Sequence, residues 1–251
     1  MDLLFVGPRG RPGPVAAGAA ELATLAQAAA RDGHRVRLLQ PIARYERLEV
    51  KPVSGLTVRA IPSRTPPFRA VLAHLSDLPL ERALNEELRS DPPHVVHIHG
   101  FGGANSYLVP WLADRLGVAA VVYAEPIAAV LCHRGTLVDR DGAACREFDD
   151  ATRCASCCRA HDATALGGVA SVLAACLRPL RGLTPFPNRT AMLNRNDLIV
   201  HGLGAARRVC VRDASAVQDL VALGVPHRSI LSGMSGDDLA AWSAVWAVAR
   251  G

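Results

Sequence analysis

Short apolar runs alternate with amphipathic stretches along the first half of the chain. Leu3-Leu4-Phe5-Val6 is a continuous apolar run, the pattern of a strand covered on both faces. A glycine- and proline-rich turn, Gly7–Gly13, follows it, and Val15 to Arg31 then places Leu22, Leu25, Ala26 and Ala29 on one helical face. Asp32-Gly33 stops that helix, and His34 to Gln40 reads as a second strand. Gly55 to Ile61 reads as a third strand, Phe68 to Leu88 as mostly helix, and His94 to His99 as a fourth strand ending at Gly100. Ser106 to Leu116 predicts a helix and Val118 to Tyr123 a fifth strand. Strands and helices alternating at this spacing predict an α/β fold, a parallel sheet with helices on both faces. Ligands of such sheets bind at the carboxyl ends of the strands. The Gly7–Gly13 loop, His99-Gly100-Phe101 and the segment after Tyr123 would share that edge.

From Ala124 to about Asp162 the pattern breaks, in a loop-like insertion that holds five cysteines. Helical signal returns at Ala163 to Leu177, read as a buried helix, and at Thr190 to Leu203. Arg208 to Val211 reads as a sixth strand, Ala214 to Leu223 as a helix and Ser229 to Leu231 as a seventh strand. Asp237 to Ala249 closes the chain as an amphipathic helix. Its Trp242 and Trp246, at i and i+4, are read as an exposed stripe that a second domain or a partner covers.

The 251 residues, half of them apolar, suffice for a sizeable core. The net charge of +5 does not point to nucleic acid. Lys51 is the only lysine, and no run of five basic residues or basic stretch interleaved with aromatics occurs. Met1-Asp2 opens on an acidic residue, and the apolar run behind it is too short for a secretion leader. Thr164 to Leu177 is too short to span a bilayer, which leaves peripheral contact as the membrane role compatible with the sequence. A cytoplasmic location is expected. Seven cysteines in a reducing compartment point to metal or free thiols before disulfides.

Cys132, Cys145, Cys154 and Cys157 carry the metal expectation. A C-x-x-C in a short loop presents two thiolates to one ion, and four thiolates suit tetrahedral zinc. The alternatives are an iron–sulfur cluster, unligated thiols or a disulfide, with Cys158, His133 and His161 as substitute ligands. Cys176 and Cys210 lie in apolar segments and read as core residues. His97 and His99 share one face of their strand, and His99 ends it on the ligand edge, placed to hydrogen-bond a hydroxyl or accept its proton. Gly10 and Gly13, with Arg9 and Arg11, form a loop that lets the backbone approach a ligand, although it is no phosphate-binding fingerprint. Gly18, Gly100, Glu125 and Arg134 complete the candidate ligand contacts, with Glu125 as a carboxylate at a strand end and Arg134 as an anion contact.

Several of these segments, in this order, resemble glycosyltransferase family 4. They are Arg31-Asp32-Gly33-His34-Arg35-Val36 after the first helix, and Val95-Val96-His97-Ile98-His99-Gly100, similar to a "D-V-V-H-x-H" strand. Gly117 to Val122 is similar to "G-I-P-V-V", and Ala222 to Ile230 is similar to the "G-V-P-x-x-R-I" before the interdomain linker. Leu131-Cys132-His133-Arg134-Gly135 with Cys145 and Cys154-Ala155-Ser156-Cys157 resembles the Cys-rich insertion of one branch. The resemblance implies a Rossmann-like half of the two-domain GT-B fold. Residues 1–235 would be the acceptor-side domain, with the Cys-rich insertion at about 124–162, and 236–251 a helix at the interdomain linker. It implies retaining transfer from a nucleotide sugar to a sugar or glycan acceptor, with His99 as the catalytic candidate. No counterpart of the family's donor half follows, so the chain would be either incomplete or in need of a partner chain with that domain. Tyr123-Ala124-Glu125 also stands where members carry a histidine. The resemblance therefore implies that the chain alone does not transfer sugar. The other reading is a non-catalytic, zinc-stabilised binding or scaffold protein of the same descent.

Overall fold

The computed structural model describes residues 1–8, 14–42, 53–62, 76–101, 106–166 and 188–251. Seven strands form one sheet: β1 Asp2–Val6, β2 Arg35–Ile42, β3 Leu56–Pro62, β4 Val95–His99, β5 Ala119–Tyr123, β6 Arg208–Cys210 and β7 Ile230–Leu231. Their spatial order is β3-β2-β1-β4-β5-β6-β7, and every pairing is parallel. This is the α/β, Rossmann-like architecture that the alternating apolar runs predict. Each strand lies within about two residues of its expected place.

The helices divide between the two faces. α1 Pro14–Arg31 and α8 Leu239–Arg250 cover one face, where Leu22, Leu25, Ala26 and Ala29 meet Leu3, Phe5, Val95 and Val121. α2 Leu78–Ser90, α3 Val109–Arg115, α6 Arg189–Ala205 and α7 Ala214–Leu223 cover the other, against Leu4, Val6, Val96, Ile98 and Val122. Odd and even strand positions separate onto opposite faces, as the two-residue period of a strand demands. At the amino end of the sheet the buried Arg37 holds Glu87 at 2.9 Å and Asp2 at 3.4 Å, tying α2 to β1 and β2.

Two expectations are corrected here. Trp242 and Trp246 are not an exposed stripe, since both are fully buried. α8 turns back over the chain's own sheet, and the two indoles pack edge-on against His97 at 4.5 and 5.8 Å between ring centroids. An i, i+4 pair of indoles seeks any apolar surface, and the nearest is the face of β1, β4 and β5. The Cys-rich insertion is not one loop either. It contains α4 Ile127–Leu131 and α5 Ala151–Leu166, so Cys154 and Cys157 stand at i and i+3 on a helix, which also presents them on one side. Apolar Ala151, Ala155 and Cys158 recur at helical spacing and pack on Ala191 and Met192 of α6, a period masked by the intervening Arg and Cys positions. The expected helices at Phe68–Leu88 and Ala163–Leu177 lie partly outside the described residues. Among the described residues no helix is long and apolar enough to cross a membrane.

α6 carries two glycines in different surroundings. A Cβ on Gly202 would run into the Tyr107 carbonyl oxygen and lie 3.2 Å from the Phe101 ring, whereas one on Gly204 meets nothing within 4 Å. Gly202→Ala is therefore expected to destabilise the protein by about 1–3 kcal/mol. Gly204→Ala is expected to stabilise it by up to about 1 kcal/mol. Urea unfolding of the two variants would measure opposite shifts in midpoint.

Candidate functional site

The strand order reverses direction between β1 and β4, and in open parallel sheets ligands bind in the crevice at the carboxyl ends of such a switch point. There the backbone turns are tight. Gly100 has φ of 72°, a left-handed conformation that favours glycine, and a Cβ on it would lie 3.2 Å from Pro8 Cβ in the turn after β1. Glycine is thus what lets the turns after β1 and β4 touch.

On the α1/α8 side of this edge a polar cluster runs outward from the core. His97 and His99 are both fully buried on β4 and share one face of it. Trp246 Nε1–H points to His97 Nδ1 at 3.3 Å, His97 Nε2 lies 3.3 Å from His99 Nδ1, and His99 Nε2 lies 3.6 Å from Glu21 Oε2. Glu21, on α1, has its other oxygen 3.2 Å from Arg212 Nη2, which also donates to the Tyr123 hydroxyl at 3.3 Å. The Glu21 and Arg212 side chains are 34% and 53% exposed, while that of His99 is 0% exposed. The cluster therefore meets solvent through Glu21 and Arg212, with His99 behind them. Glu125, at the end of β5, is half-buried. It accepts from Arg212 N–H at 2.8 Å through Oε1 and from Ile127 N–H at 3.1 Å through Oε2.

Burial drives the titration of this cluster. It holds His97 well below the ordinary imidazole range, with the His99 charge adding to the effect. Burial also lowers His99, and Glu21 opposes that shift. The Glu21 carboxyl is held low by His99 first and by Arg212 as well, against its own partial burial. Tyr123 is raised, mainly by burial.

The four cysteines singled out by spacing converge elsewhere. Cys132, Cys145, Cys154 and Cys157 line one cavity of about 30 Å³, together with His133, Arg134, Cys158 and Arg195. That volume suits a single ion or one or two waters. All four are free thiols. Burial raises the Cys132 thiol, but backbone N–H groups of Thr136, Leu137, Arg134 and Gly135 outweigh it and hold the group below its ordinary value. Cys154 is pushed up to about 11, by burial first and then by the charges of Cys145, Cys132 and Cys157, with Arg195 opposing. In this arrangement Cys154 Sγ–H donates to the Phe148 carbonyl at 3.5 Å. Among the described residues no group of three or more His, Cys, Asp or Glu side chains is already drawn up to hold a metal ion. The thiols share a cavity without closing on a common point.

Several sequence expectations can now be located. Arg134 faces the thiol cavity, donating to Val138 O at 3.2 Å and Cys157 Sγ at 3.4 Å, and is not among the groups of the crevice. Gly18 lies near Pro8, with its Cβ position 3.8 Å from Pro8 Cγ. Gly10, Gly13, Arg9, Arg11 and Cys176 lie outside the described residues, and Cys210 is a fully buried core thiol. Glu21, Arg212 and Tyr123 went unnoticed in the sequence. Only Glu21 carries a local signal, as the lone acidic side chain in an Ala-rich helix.

No protein-family model matches the chain, and no curated protein matches it. Among solved structures, it is similar to the UDP-GlcNAc 2-epimerase from Neisseria meningitidis bound to UDP-GlcNAc, at 11% identity and a TM-score of 0.47, over 92% of this chain and 45% of that one. It is similar to Phytolacca americana UGT2 complexed with UDP-2fluoro-glucose and pterostilbene, at 14% identity and a TM-score of 0.47, over 92% of this chain and 53% of that one. The UDP-GlcNAc 2-epimerase from Methanocaldococcus jannaschii gives 13%, 0.43, 92% and 45% in the same terms. The chain spans about half the length of the solved structures it matches. These scores are too low to transfer an activity, a substrate or a residue role.

The histidines set an expected pH response. An imidazole kept neutral by the fold makes the unfolded chain the better proton binder below about pH 6.5. His97 and His99 thus stabilise the protein fully above that pH, and their contribution is lost as pH falls through the window beneath it. Glu21, with a lowered carboxyl, adds a further loss below about pH 4.3. The melting temperature should fall from about pH 7 to about pH 5, and the slope should flatten in His97→Gln. A slope unchanged in that variant would remove His97 from the account.

Proposed function

We propose that this chain is a glycosyltransferase-like protein: the acceptor-side half of a two-domain GT-B arrangement, whose donor half, holding a nucleotide sugar, lies in further sequence of the same protein or in a partner chain. The observation that carries the reading is the reversal of strand order between β1 and β4, with a part-exposed carboxylate and guanidinium, Glu21 and Arg212, at the carboxyl edge of an all-parallel sheet. Carboxylates accept hydrogen bonds from hydroxyls, and the half-exposed Arg212 supplies donors, which is the chemistry that orients a sugar or glycan acceptor. Positioning of two substrates contributes on the order of 7–11 kcal/mol to such a reaction. The chain alone therefore performs no transfer. On this reading the protein acts in the cytoplasm, where its thiols stay reduced.

The proposal includes a structural zinc held by Cys132, Cys145, Cys154 and Cys157. Four free thiols around one ion-sized cavity support it, as do the four backbone N–H groups that stabilise charge on Cys132. Closing the cavity would cost Cys154 its proton and its bond to the Phe148 carbonyl. An ion there would order the insertion between α4 and α5, whose own apolar contacts are few.

A second reading, a non-catalytic zinc-stabilised scaffold of the same fold, is favoured by one feature. Tyr123 and Glu125 stand where the family carries its histidine, and Tyr123 is locked into the core.

Two measurements test these readings. With UDP-glucose and a sugar acceptor the isolated chain is expected to show no transfer and no UDP-glucose binding by calorimetry, and robust transfer would overturn both readings. Elemental analysis of protein purified without chelator is expected to give about one zinc per chain. That zinc should be lost in Cys154→Ser/Cys157→Ser. Metal-free protein from zinc-replete cells would end the zinc assignment and leave the crevice reading intact.

A further inference from the structure

We propose that Glu21 is the carboxylate that receives the hydroxyls of a neutral, polyhydroxylated ligand at the crevice, and that a buried donor line through Trp246, His97 and His99 fixes its position. The proposal rests on the reading of this edge as an acceptor face and assigns it a contact residue and a ligand charge.

Proton positions along the line follow from one group. An indole N–H only donates, so His97 Nδ1, 3.3 Å from Trp246 Nε1, carries no proton. The proton of His97 is then on Nε2, which donates to His99 Nδ1 at 3.3 Å. The proton of His99 is in turn on its Nε2, the atom 3.6 Å from Glu21 Oε2. Both rings are neutral, since a second proton on either would set two N–H groups against each other. The line turns an N–H toward Glu21 across 3.6 Å without bringing positive charge into the core.

The carboxylate is confined from several sides. Arg212 holds Oε1, and Tyr123 and Gly236 border the group. A Cβ on Gly236 would overlap Glu21 Oε2 and lie 3.2 Å from Tyr123 Cε1, so a side chain there would push the carboxylate from this position. One third of Glu21 still meets solvent, and His99 does not. A ligand therefore touches Glu21, while His99, His97 and Trp246 are positioning residues.

Charge decides the ligand class. Among the described residues the Arg212 guanidinium binds Glu21, its backbone N–H binds Glu125, and its charge lowers the Asp237 carboxyl. An excess of carboxylates repels phosphate and suits neutral hydroxyls, which donate to them. Nucleotide phosphates are thus expected to avoid the Glu21 carboxylate itself.

Nuclear magnetic resonance on the full chain tests both parts. At neutral pH the imidazole nitrogens of His97 and His99 should both report the neutral Nε2–H form, and Trp246→Phe should release that preference at His97. An Nδ1–H form or a doubly protonated ring at either position overturns the line. Titration with maltose should move the Glu21 carboxyl carbon and the Arg212 side-chain N–H, whereas UDP should leave them in place. Glu21→Gln should weaken maltose binding by about tenfold or more, as expected for losing hydrogen bonds to a charged group. His99→Gln, which keeps an N–H near the same point, should preserve binding, and His99→Phe should not. Equal loss in both variants overturns the positioning role. Maltose shifts at Gly100 or Glu125 without any at Glu21 overturn this inference and spare the acceptor-face reading. Absence of shifts anywhere on the edge overturns both.

Discussion

Two histidines on the central strand of an all-parallel sheet can be buried only as neutral rings whose nitrogens face compatible partners. A buried polar group left unsatisfied costs about 1–3 kcal/mol, and a buried imidazolium costs far more. β4 meets this constraint by lining up its two histidines at i and i+2, so that one donates to the other. The line must then end on a pure donor at one side and an acceptor at the other. Trp246 is the donor end, and the Glu21 carboxylate faces the other end at 3.6 Å. The places of α8 and α1 on the same face of the sheet follow from that need as much as from apolar burial.

This constraint links core to surface. Trp242 and Trp246 wall in His97, and Trp242 Nε1–H also donates to the Ser235 carbonyl at 2.8 Å. The segment before α8 is thereby laid across Tyr123, whose hydroxyl lies 3.4 Å from the Met234 carbonyl oxygen. Gly236 can then pass against the Glu21 carboxylate. A packing decision in the last helix thus shapes the mouth of the crevice.

The thiol cavity is a second, separate construction. It hangs from α6, where buried Arg195 donates to the Val130 carbonyl at 2.6 Å and the Leu131 carbonyl at 3.4 Å, capping α4 just before Cys132. The crevice handles hydroxyl and carboxylate chemistry, and the cavity gathers soft sulfur donors. Glu125 lies between them in sequence, starting the segment that leads to α4 while its Oε1 accepts from the Arg212 backbone.

The chain's own pattern determined the strands, most of the helices and the parallel sheet, because two- and 3.6-residue periods report which side of an element is dry. It also singled out the four cysteines, whose type and spacing are a chemical signature, and it put His97 and His99 on one face. Tertiary structure decided what periodicity does not encode. Trp242 and Trp246 look the same in sequence whether they face a partner or the chain's own sheet, and the return of α8 settles it. Glu21 and Arg212 lie 191 residues apart and meet only through strand order. His99 sits at a strand end, where sequence places it on the ligand edge. The layers of α1 and α8 bury it instead, so the carboxylate above it becomes the group that reaches solvent.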